Sequence, residues 1–434
     1  MLSIRFYRQF AILGPVSGMI FIYPVLFLSL FFEVFLLLSF LEGTRNKKAP
    51  ASVPPHLLPS VTIFVPCYNE AKTVAKTLDS ILALEYPKDK LSVFAIDDGS
   101  TDGTAGVLEA YTTHPQVRIF HKENGGKFTA LNLGLEYASS ELVGCLDADS
   151  YVAPNALLEI TKYFADESVM AVTPAIKISN PASIVQRVQH AEYAVSAFIR
   201  RTFSWLESLF ITPGPFSIFR RQVFLQLGPY KEAHMTEDME IALRMQSAYM
   251  RIENAPTAHV YTNGPRSYQA LFKQRVRWTY GFMKNARDYR FMFFNRQYGT
   301  LGMFLLPMGL FTIFPALYFT AISVAYAGTD TIQEIERLRV VGFSGFHWPV
   351  FDVFHFDTHP FLFLTWLLFF ATVLILVLGK QLMGEKRFDF NMPLYLMLYG
   401  IMAPWWLGKA VYNVVSASQK SWRQEIDERR KGRE

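Results

Sequence analysis

Long apolar runs at the two ends of the chain enclose a central region in which apolar and polar residues are mixed. Residues 18–41 form an apolar run that a single charge, Glu33, interrupts. This run exceeds the roughly 20 residues that a helix needs to cross a bilayer, and it is too long for the core of a signal peptide. Three further apolar runs lie late in the chain, at about 301–326, 361–379 and 393–415. The pattern predicts an integral membrane protein with a globular region after its first span.

The central region, from about residue 60 to residue 270, alternates short β-rich runs with segments of helical periodicity. The run Val61–Pro66 is followed by the periodic "AKTVAKTLDSILAL", and "SVFAI" leads into "DDGSTDGT" and another helical segment. Alternation of this kind predicts an α/β fold, with a mostly parallel sheet and helices on both faces. Ligands on such sheets bind at the carboxyl ends of the strands. The polar segments "PCYNE", "DDGS" and "DADS" are therefore expected to line one crevice.

Positive charges beside the apolar runs predict the orientation of the chain. The basic residues after the first and third runs are Arg45, Lys47, Lys48, Lys380, Lys386 and Arg387. Because cytoplasmic flanks are rich in Lys and Arg, we expect these flanks and the globular region in the cytoplasm. Four simple crossings would then leave the basic tail outside, unless a run interrupted by Pro307, Pro315 or Pro404 is kinked or re-entrant. We favour simple crossings.

Overall charge and cysteine content exclude several classes of site. The formal net charge of +5 at pH 7 is modest and gives no reason to expect a nucleic-acid partner. The two cysteines, Cys67 and Cys145, both lie in predicted strands. Two cysteines argue against a disulfide framework and against a zinc site, so we expect buried, unreactive thiols.

Acidic and glycine-rich segments follow the predicted strands, and each has two interpretations. Asp97 and Asp98 could be turn and helix-cap residues or could contact a ligand. The segment "NGGK", which ends at Lys127, could cap a helix or bind a phosphate. Asp147 and Asp149 follow an apolar strand, where two carboxylates cannot both be buried without a counter-charge. Their oxygens suit Mg²⁺ or Mn²⁺ shared with substrate phosphates, and a plain strand-end turn is the alternative.

Two later segments carry further candidate chemistry. Glu237 and Asp238 open a predicted helix, where an acid either stabilises the helix dipole or accepts a proton from a bound hydroxyl. On the next predicted helix, Gln274, Arg277 and Trp278 share one face. That face offers an amide, a cation suited to pyrophosphate and an indole that can stack on a sugar ring. The neighbouring basic residues are explained more simply as contacts with anionic headgroups: Lys273, Arg275, Lys284, Arg287 and Arg290.

Four ordered motifs, "DDGS", "DAD", "TED" and "QRVRW", resemble those of the membrane-embedded family 2 glycosyltransferases, which include cellulose, chitin, hyaluronan and poly-N-acetylglucosamine synthases. The likeness covers about residues 60–290. Each motif alone is weak, but the ordered set between apolar runs is specific. The resemblance implies a Rossmann-like glycosyltransferase A-type domain, with a mostly parallel sheet, inserted between transmembrane helices of a multi-pass protein of the plasma (inner) membrane.

The resemblance also implies a role for each matching position. Residues that would bind the nucleotide and its diphosphate are Tyr68, Glu70, Asp97, Asp98, Lys127, Asp147 and Arg277. The implied catalytic residues are Asp238 as general base, Glu237 and Asp149. Asp149 and Asp147 would bind the metal, Mg²⁺ or Mn²⁺, with Asp149 as the more direct ligand. Residues that would hold the acceptor are Gln274, Trp278, Gly214, Pro215 and Phe216, the last three from the segment "PGPFSIFRR".

The reaction that the resemblance implies is inverting transfer from a UDP-sugar. The first hypothesis is a processive synthase that polymerises a β-linked polysaccharide or oligosaccharide, from UDP-N-acetylglucosamine in particular, coupled to export. The second is non-processive transfer of one sugar to a membrane lipid, and the third is an inactive scaffold or receptor. Four spans make a slender channel, so a homo-oligomer or an accessory export subunit is a candidate partner beside the glycan or lipid acceptor and the bilayer.

Glu33 and Lys409 lie within apolar runs, where charge marks a functional site or reaches the interface by snorkelling.

The sequence thus divides into five predicted regions. The regions are an N-terminal transmembrane segment (1–45), a cytosolic glycosyltransferase domain (46–270), amphipathic interfacial helices (271–298), three C-terminal transmembrane helices (299–415) and a basic tail (416–434).

Overall fold

The structure is a computed structural model, and it describes residues 17–46, 50, 53–341, 360–385 and 389–416. The chain divides into two compact units. The first comprises Met1–Leu38 and Gly309–Ile375, and the second comprises Ser39–Met308 and Leu376–Glu434. Some predicted features lie outside the described residues, namely the tail beyond Ser416 and the basic residues Lys47, Lys48, Lys386 and Arg387.

An eight-stranded sheet forms the centre of the second unit. The strands are β1 (Val61–Cys67), β2 (Leu91–Asp97), β3 (Val117–His121), β4 (Leu142–Cys145), β5 (Ser150–Val152), β6 (Val169–Ile178), β7 (Ile218–Arg220) and β8 (Arg251–Thr262). Their spatial order is β3-β2-β1-β4-β7-β6-β8-β5. β1 pairs in parallel with β2 and β4, β2 with β3, and β6 with β8, whereas β7 and β5 run antiparallel to their neighbours. The predicted α/β fold with a mostly parallel sheet is confirmed.

Helices connect and cover these strands. Their bounds are α1 (Ser17–Asn46), α2 (Val74–Leu82), α3 (Thr104–Glu109), α4 (Lys127–Tyr137), α5 (Ala156–Thr161), α6 (Ile184–Trp205), α7 (Arg221–Leu227), α8 (Glu237–Ser247), α9 (Tyr268–Asp288), α10 (Leu306–Phe311), α11 (Ile313–Val341), α12 (Pro360–Leu382) and α13 (Asn391–Val415). On one face of the sheet, Leu78 of α2 and Leu157 of α5 belong to the same buried cluster as Ile63 of β1. On the other face, Gly134 of α4 lies so close to Phe64 that an added Cβ would come within 2.7 Å of the ring. Because β1 is buried on both faces, it reads as a continuous apolar run.

Two long helices of the second unit start at defined residues. At the start of α6, Ser183 Oγ accepts a hydrogen bond from the backbone N–H of Gln186 at 3.2 Å, and Gln186 Oε1 accepts one from the backbone N–H of Ser183 at 3.2 Å. This reciprocal pair is a capping box. At the start of α9, Ser267 Oγ accepts a hydrogen bond from a backbone amide at 3.3 Å. With both starts fixed, Arg275 of α9 meets Glu192 of α6 at 2.6 Å.

Three helical stretches among the described residues are long and apolar enough to cross a membrane. They span Ile22–Asn46, Leu301–Val340 and Leu362–Leu382. They coincide with three of the four predicted spans. The fourth predicted span forms α13, which is not among the three. Trp406 and Ala410 of α13 pack in a buried cluster with Leu271 and Val276 of α9. One face of α13 is therefore covered by protein, and its crossing of a bilayer stays a prediction.

The two charged residues predicted within apolar runs each contact another side chain. Thr372 of α12 donates a hydrogen bond of 2.8 Å to Glu33 Oε1 of α1. Lys409 Nζ lies 4.7 Å from the centroid of the Tyr412 ring. Intramembrane polar groups tend to pair with one another because lipid offers them no partner. These contacts are structural, and a direct role in function stays a prediction for both residues.

Candidate active site

The loops after β1 and β2 are joined by hydrogen bonds at the carboxyl edge of the sheet. Asn69 adopts a positive φ of 57°. Its backbone N–H donates to Ser100 Oγ at 3.0 Å, and its Oδ1 accepts from the backbone N–H of Thr101 at 2.8 Å. Tyr68 and Glu70, which flank Asn69, are therefore presented beside the "DDGS" turn. This placement agrees with the crevice that the strand ends predict.

The aspartates of "DDGS" are both buried and receive donors from the protein itself. Asp97 accepts hydrogen bonds from the Ser100 backbone N–H at 3.0 Å and from His121 Nδ1 at 3.2 Å. Asp98 accepts from the backbone amides of Gly125 and Gly126 and from Lys122 Nζ, at 3.0, 2.8 and 2.5 Å respectively. The amides of the glycine-rich loop are thus directed at Asp98. These contacts fit the turn-and-cap interpretation, and nucleotide binding by the pair stays a prediction.

Lys127 connects the glycine-rich loop to two acidic motifs. It is the first residue of α4, and its Nζ lies 2.5 Å from Asp147 Oδ1 and 3.3 Å from Glu237 Oε1. Burial alone would favour the neutral amine, but Asp147 and Glu237 together outweigh it and hold the pKa of Lys127 well above its ordinary value. Asp147 and Glu237, which lie 90 positions apart in the chain, therefore both contact the ammonium group of Lys127.

Gly214 of the "PGPF" segment packs against the ammonium group of Lys127. A Cβ on Gly214 would come within 2.5 Å of Lys127 Nζ, so a larger residue here would displace the end of the lysine side chain. Phe216 has a positive φ of 64° and donates its backbone N–H to Cys145 O at 2.6 Å. Its side chain is fully buried in the core cluster under the sheet. Gly214 and Pro215 are thus placed at the site, whereas the Phe216 ring lies in the core and is not brought to it.

A small cavity, with about 230 Å³ of empty volume, opens beside Lys127. Its lining residues include Lys127, Cys145, Thr212, Gly214, Tyr230, Glu237 and Asp238. Both cysteines are free and buried, as predicted. Sequence reasoning missed Thr212 and Tyr230. Thr212 donates its hydroxyl to Asp238 O at 2.7 Å, and Asn132 of α4 holds the Tyr230 backbone at 2.8 Å. No sequence motif marks such contacts between distant segments.

Two carboxyl groups of the site have raised pKa values. Burial, followed by the charge of Glu237, raises the pKa of Asp238 to about 6. Burial, followed by the charge of Asp147, raises the pKa of Asp149 to about 6. Raised values mean that the ionised forms lack full compensation by the surrounding protein. An acid with a pKa near neutrality is suited to proton transfer.

The "DAD" aspartates fit a divalent cation. Asp149 Oδ1 accepts a hydrogen bond of 3.0 Å from Ser150 Oγ, and Asp147 Oδ1 is paired with Lys127. The repulsion between the two carboxylates, expressed in the pKa of Asp149, is what a shared cation would relieve. Carboxylate oxygens are also the donors that Mg²⁺ and Mn²⁺ prefer. A second group of possible metal ligands consists of His190, Glu385 and Asp389. Lys380 Nζ lies 3.2 Å from Glu385 and 2.5 Å from Asp389, so this lysine already supplies a positive charge to these carboxylates.

The helix α9 presents the last predicted motif to the same side of the domain. Arg277 Nη1 donates to Met235 O, next to the "TED" segment, at 3.3 Å. Trp278 is 36% exposed, and its ring lies 4.2 Å below the guanidinium of Arg275. Gln274 Oε1 accepts from Arg275 Nη1 at 3.0 Å. The motif residues are therefore linked to one another.

The interpretation of Arg275 as a headgroup contact is wrong. Its side chain is only 4% exposed, because it forms an ion pair of 2.6 Å with Glu192 and stacks on Trp278. Lys273, Arg287 and Arg290 are exposed, as headgroup contacts require, and Lys284 is half-buried. Burial and pairing thus separate Arg275 from the other basic residues of this region.

Comparisons with known proteins identify the family of the central domain. Residues 62–228 match the family model of Glycosyl transferase family 2. The chain is 32% identical over 268 residues to the poly-β-1,6-N-acetyl-D-glucosamine synthase of Staphylococcus aureus, covering 60% of this chain and 63% of that protein. It is 33% identical over 224 residues to the protein of the same name from Staphylococcus epidermidis, covering 51% and 54% respectively. The alignments span less than two thirds of the length of these relatives.

A solved structure shares the fold. The mannosyltransferase from Pyrobaculum calidifontis, in complex with GDP-Man and Mn²⁺, aligns with a TM-score of 0.59 and 22% identity, covering 92% of this chain and 99% of that chain. At this identity the likeness concerns the fold alone. The family match confirms the resemblance at "DDGS" and "DAD", whereas "TED" and "QRVRW" lie beyond the matched residues. Residues 62–228 are thus similar to glycosyl transferase family 2.

Proposed function

We propose that this chain is an inverting glycosyltransferase that builds a β-linked glycan from a UDP-sugar, with UDP-N-acetylglucosamine as its donor. The observation that carries the proposal is the cluster at one cavity: Asp238, with its pKa raised to about 6, lines it together with Glu237 and Lys127, and Lys127 is paired with Asp147. The name of the staphylococcal relatives supports the choice of sugar.

The proposed step is a single displacement. An acceptor hydroxyl oxygen forms a bond to the anomeric carbon of the donor, the bond from that carbon to the diphosphate oxygen breaks, and UDP leaves with the bonding electrons. Asp238 takes the hydroxyl proton. With a pKa of about 6 this carboxylate is ionised at neutral pH, and it is a stronger base than an ordinary aspartate. Attack from the face opposite the leaving group converts an α-linked donor into a β-linked product.

The chain supplies positive charge where the leaving group becomes negative. Lys127 keeps its proton, because Asp147 and Glu237 hold its pKa well above its ordinary value. Arg277 is the second cation and lies on α9. Preorganised charge of this kind is usually the largest contribution to catalysis. A divalent cation held by Asp147 and Asp149 would, when bound, neutralise diphosphate charge. Tyr68, Glu70 and the Asp97–Asp98 turn are the proposed nucleotide side of the site.

The finer features of the proposal concern the product and the membrane. We propose processive polymerisation with export, a multi-pass placement in the inner membrane and a catalytic domain on the cytoplasmic side. The three apolar helical stretches and the basic flank at Arg45 and Lys380 support this placement. Gln274 and the partly exposed Trp278 would hold the acceptor. Three or four helices would enclose only a narrow channel. A second copy of the chain or an accessory subunit would complete it.

Donor and reaction are tested with the full chain purified in detergent. We expect UDP release from UDP-N-acetylglucosamine in the presence of Mg²⁺ or Mn²⁺, and slower release from other UDP-sugars offered in a panel. Anomeric coupling constants of the product, read by NMR, should indicate a β linkage. No UDP release from any member of the panel would refute the proposal, and an α linkage would refute inversion.

Product length separates polymerisation from single transfer. A processive synthase should yield long chains at early times, while most acceptors remain unextended, when the product is examined by mass spectrometry. A single sugar attached to a lipid would instead support the alternative of a non-processive glycolipid transferase.

A further inference from the structure

The turn that precedes the "TED" motif has an unusual backbone. Ala233, His234 and Met235 have φ angles of 44°, 54° and 67°. Residues that carry a Cβ rarely adopt positive φ, and three in succession persist only where the surrounding structure holds them. The next residue, Thr236, begins the motif, and Glu237 and Asp238 follow at once. The proposed base is therefore attached to a segment of backbone that needs external support.

One face of α9 supplies that support. Arg277, Gly281 and Asn285 are spaced four residues apart, so they lie along one side of the helix. Arg277 Nη1 donates to Met235 O at 3.3 Å, and Asn285 Nδ2 donates to Thr236 Oγ1 at 2.9 Å. Both Thr236 and Asn285 are almost completely buried. The helix that carries the "QRVRW" motif is thus bonded to the turn before the base at two positions.

Gly281 permits this close approach. A Cβ added at Gly281 would lie 2.3 Å from Thr236 Oγ1 and 2.4 Å from Thr236 Cγ2. Real Cβ atoms do not come this close to another side chain, so any larger residue must push α9 and Thr236 apart. An outer contact, between His234 Nε2 and Asp288 Oδ2 at 2.9 Å, is largely exposed. The buried pair at Gly281 and Asn285 therefore sets the distance between helix and turn.

The position of Thr236 is transmitted directly to the base. Thr236 O accepts the backbone N–H of Met239 at 3.2 Å and that of Glu240 at 3.1 Å, which starts α8. Asp238 lies within this first turn, and its own carbonyl is bonded to Thr212 at 2.7 Å. A displacement of Thr236 must therefore move Asp238 relative to Lys127 and Arg277.

We propose that Gly281 and Asn285 are positioning residues, which act through Thr236 to fix the carboxylate of Asp238 against the acceptor hydroxyl and the cations of the site. The inference rests on the proposed function, because it assigns these residues to the proton-transfer step of that reaction. It adds a role for the part of α9 that lies beyond the "QRVRW" motif.

The first test is Gly281→Ala in the full chain. The added methyl group should lower kcat about tenfold to a hundredfold, since small misplacements of a catalytic group have effects of this size. The KM for UDP-N-acetylglucosamine and the Kd for UDP should change less than kcat does, because Tyr68, Glu70 and the Asp97–Asp98 turn lie outside α9 and only Arg277 of the proposed nucleotide-binding residues lies on it. The matched control is Gly106→Ala on α3, where an added Cβ meets nothing within 4 Å. It should keep the wild-type kcat.

A double variant distinguishes positioning from general damage. Thr236→Ala removes the two nearest of the three atoms that the new methyl group meets and leaves only Cβ, at 2.9 Å. Gly281→Ala with Thr236→Ala should therefore be faster than Gly281→Ala alone, although Thr236→Ala alone is slower than wild type. Such non-additivity is the signature of direct coupling. Additive losses, or equal losses of kcat and UDP affinity, would overturn the inference. Wild-type kcat in Gly281→Ala would overturn it while the proposed function stands, and absence of turnover in both wild type and Gly106→Ala would reject both.

Discussion

Two pairs of aspartates follow strands of the same sheet, yet their surroundings differ. Asp97 and Asp98, after β2, accept hydrogen bonds from backbone amides, a histidine and a lysine. After β4, Asp147 is paired with Lys127, and Asp149 accepts a hydrogen bond from the hydroxyl of Ser150. Burial raises the pKa of Asp149 to about 6 because its charge lacks comparable compensation. Similar acidic motifs thus correspond to one pair whose carboxylates both have several donors and one pair in which the charge of Asp149 is under-compensated.

The difference separates carboxylates that organise the chain from carboxylates that are available for chemistry. Asp98 orders the glycine-rich loop by accepting its amides, and its oxygens are already occupied. Asp149 and Asp238 retain raised pKa values, which an incoming cation or hydroxyl proton would relieve. Substitutions at the first pair should therefore affect stability together with nucleotide binding, whereas substitutions at the second group should affect turnover without a loss of stability.

The largest expected effect is that of Asp238→Asn. Loss of the base should lower kcat about a thousandfold, within the usual range for general-base catalysis, because the amide cannot take the acceptor proton. The Kd for UDP, measured by calorimetric titration, should stay within about twofold of wild type. The control is Asp89→Asn, at an exposed residue of the same domain. A variant that keeps wild-type kcat would remove Asp238 from the mechanism.

Asp149→Asn should have the next largest effect. We expect a loss of about a hundredfold in metal-dependent kcat, since a neutral amide is a poorer ligand for Mg²⁺ or Mn²⁺. The thermal unfolding midpoint without metal should be unchanged or higher, because the substitution removes the repulsion with Asp147. The shift of that midpoint by Mn²⁺ should be smaller than in wild type. A lowered midpoint without metal would break the comparison between the two pairs.

Asp98→Ala should have the opposite character. It removes the acceptor of two partly buried backbone amides and the partner of Lys122, which costs about 2 kcal/mol in the free energy of unfolding. The unfolding midpoint should fall by several degrees, as read by intrinsic fluorescence on heating. Asp98→Asn retains one oxygen acceptor and should lie between the variant and wild type. Full stability of Asp98→Ala would show that the loop does not depend on this carboxylate.

The common location of the acidic motifs was predictable, because each motif stands at the end of a strand and these ends lie at one edge of the sheet. Each acidic motif follows an apolar run, and parallel strands present their carboxyl ends at one edge, so the location of "DAD" and "DDGS" at the same edge follows from topology. The approach of Glu237 to Lys127 at 3.3 Å does not follow from it, because Glu237 lies on α8 and not at a strand end.

What the sequence could not predict depends on contacts between distant segments. Arg275 and Arg277 are two residues apart on one helix, and only the packing of α9 on α6 decides that Arg275 pairs with Glu192 while Arg277 reaches the turn before the base. The positive φ of Phe216 turns its ring into the core, although its motif predicts an acceptor contact. Periodicity identifies helices, but it does not specify which neighbour each helical face meets.

The smallest expected effect is the pH dependence of stability that Asp149 contributes. The folded-state pKa of Asp149 is raised to about 6, above the value of about 3.9 expected in the unfolded chain. The folded state therefore binds more protons between pH 4 and about 6, and this group's contribution to stability increases as the pH falls through that window. In metal-free buffer, the unfolding midpoint of wild type relative to Asp149→Asn should rise by a few degrees between pH 7 and pH 5. A difference between wild type and Asp149→Asn that stays constant from pH 7 to pH 5 would contradict the raised pKa of Asp149.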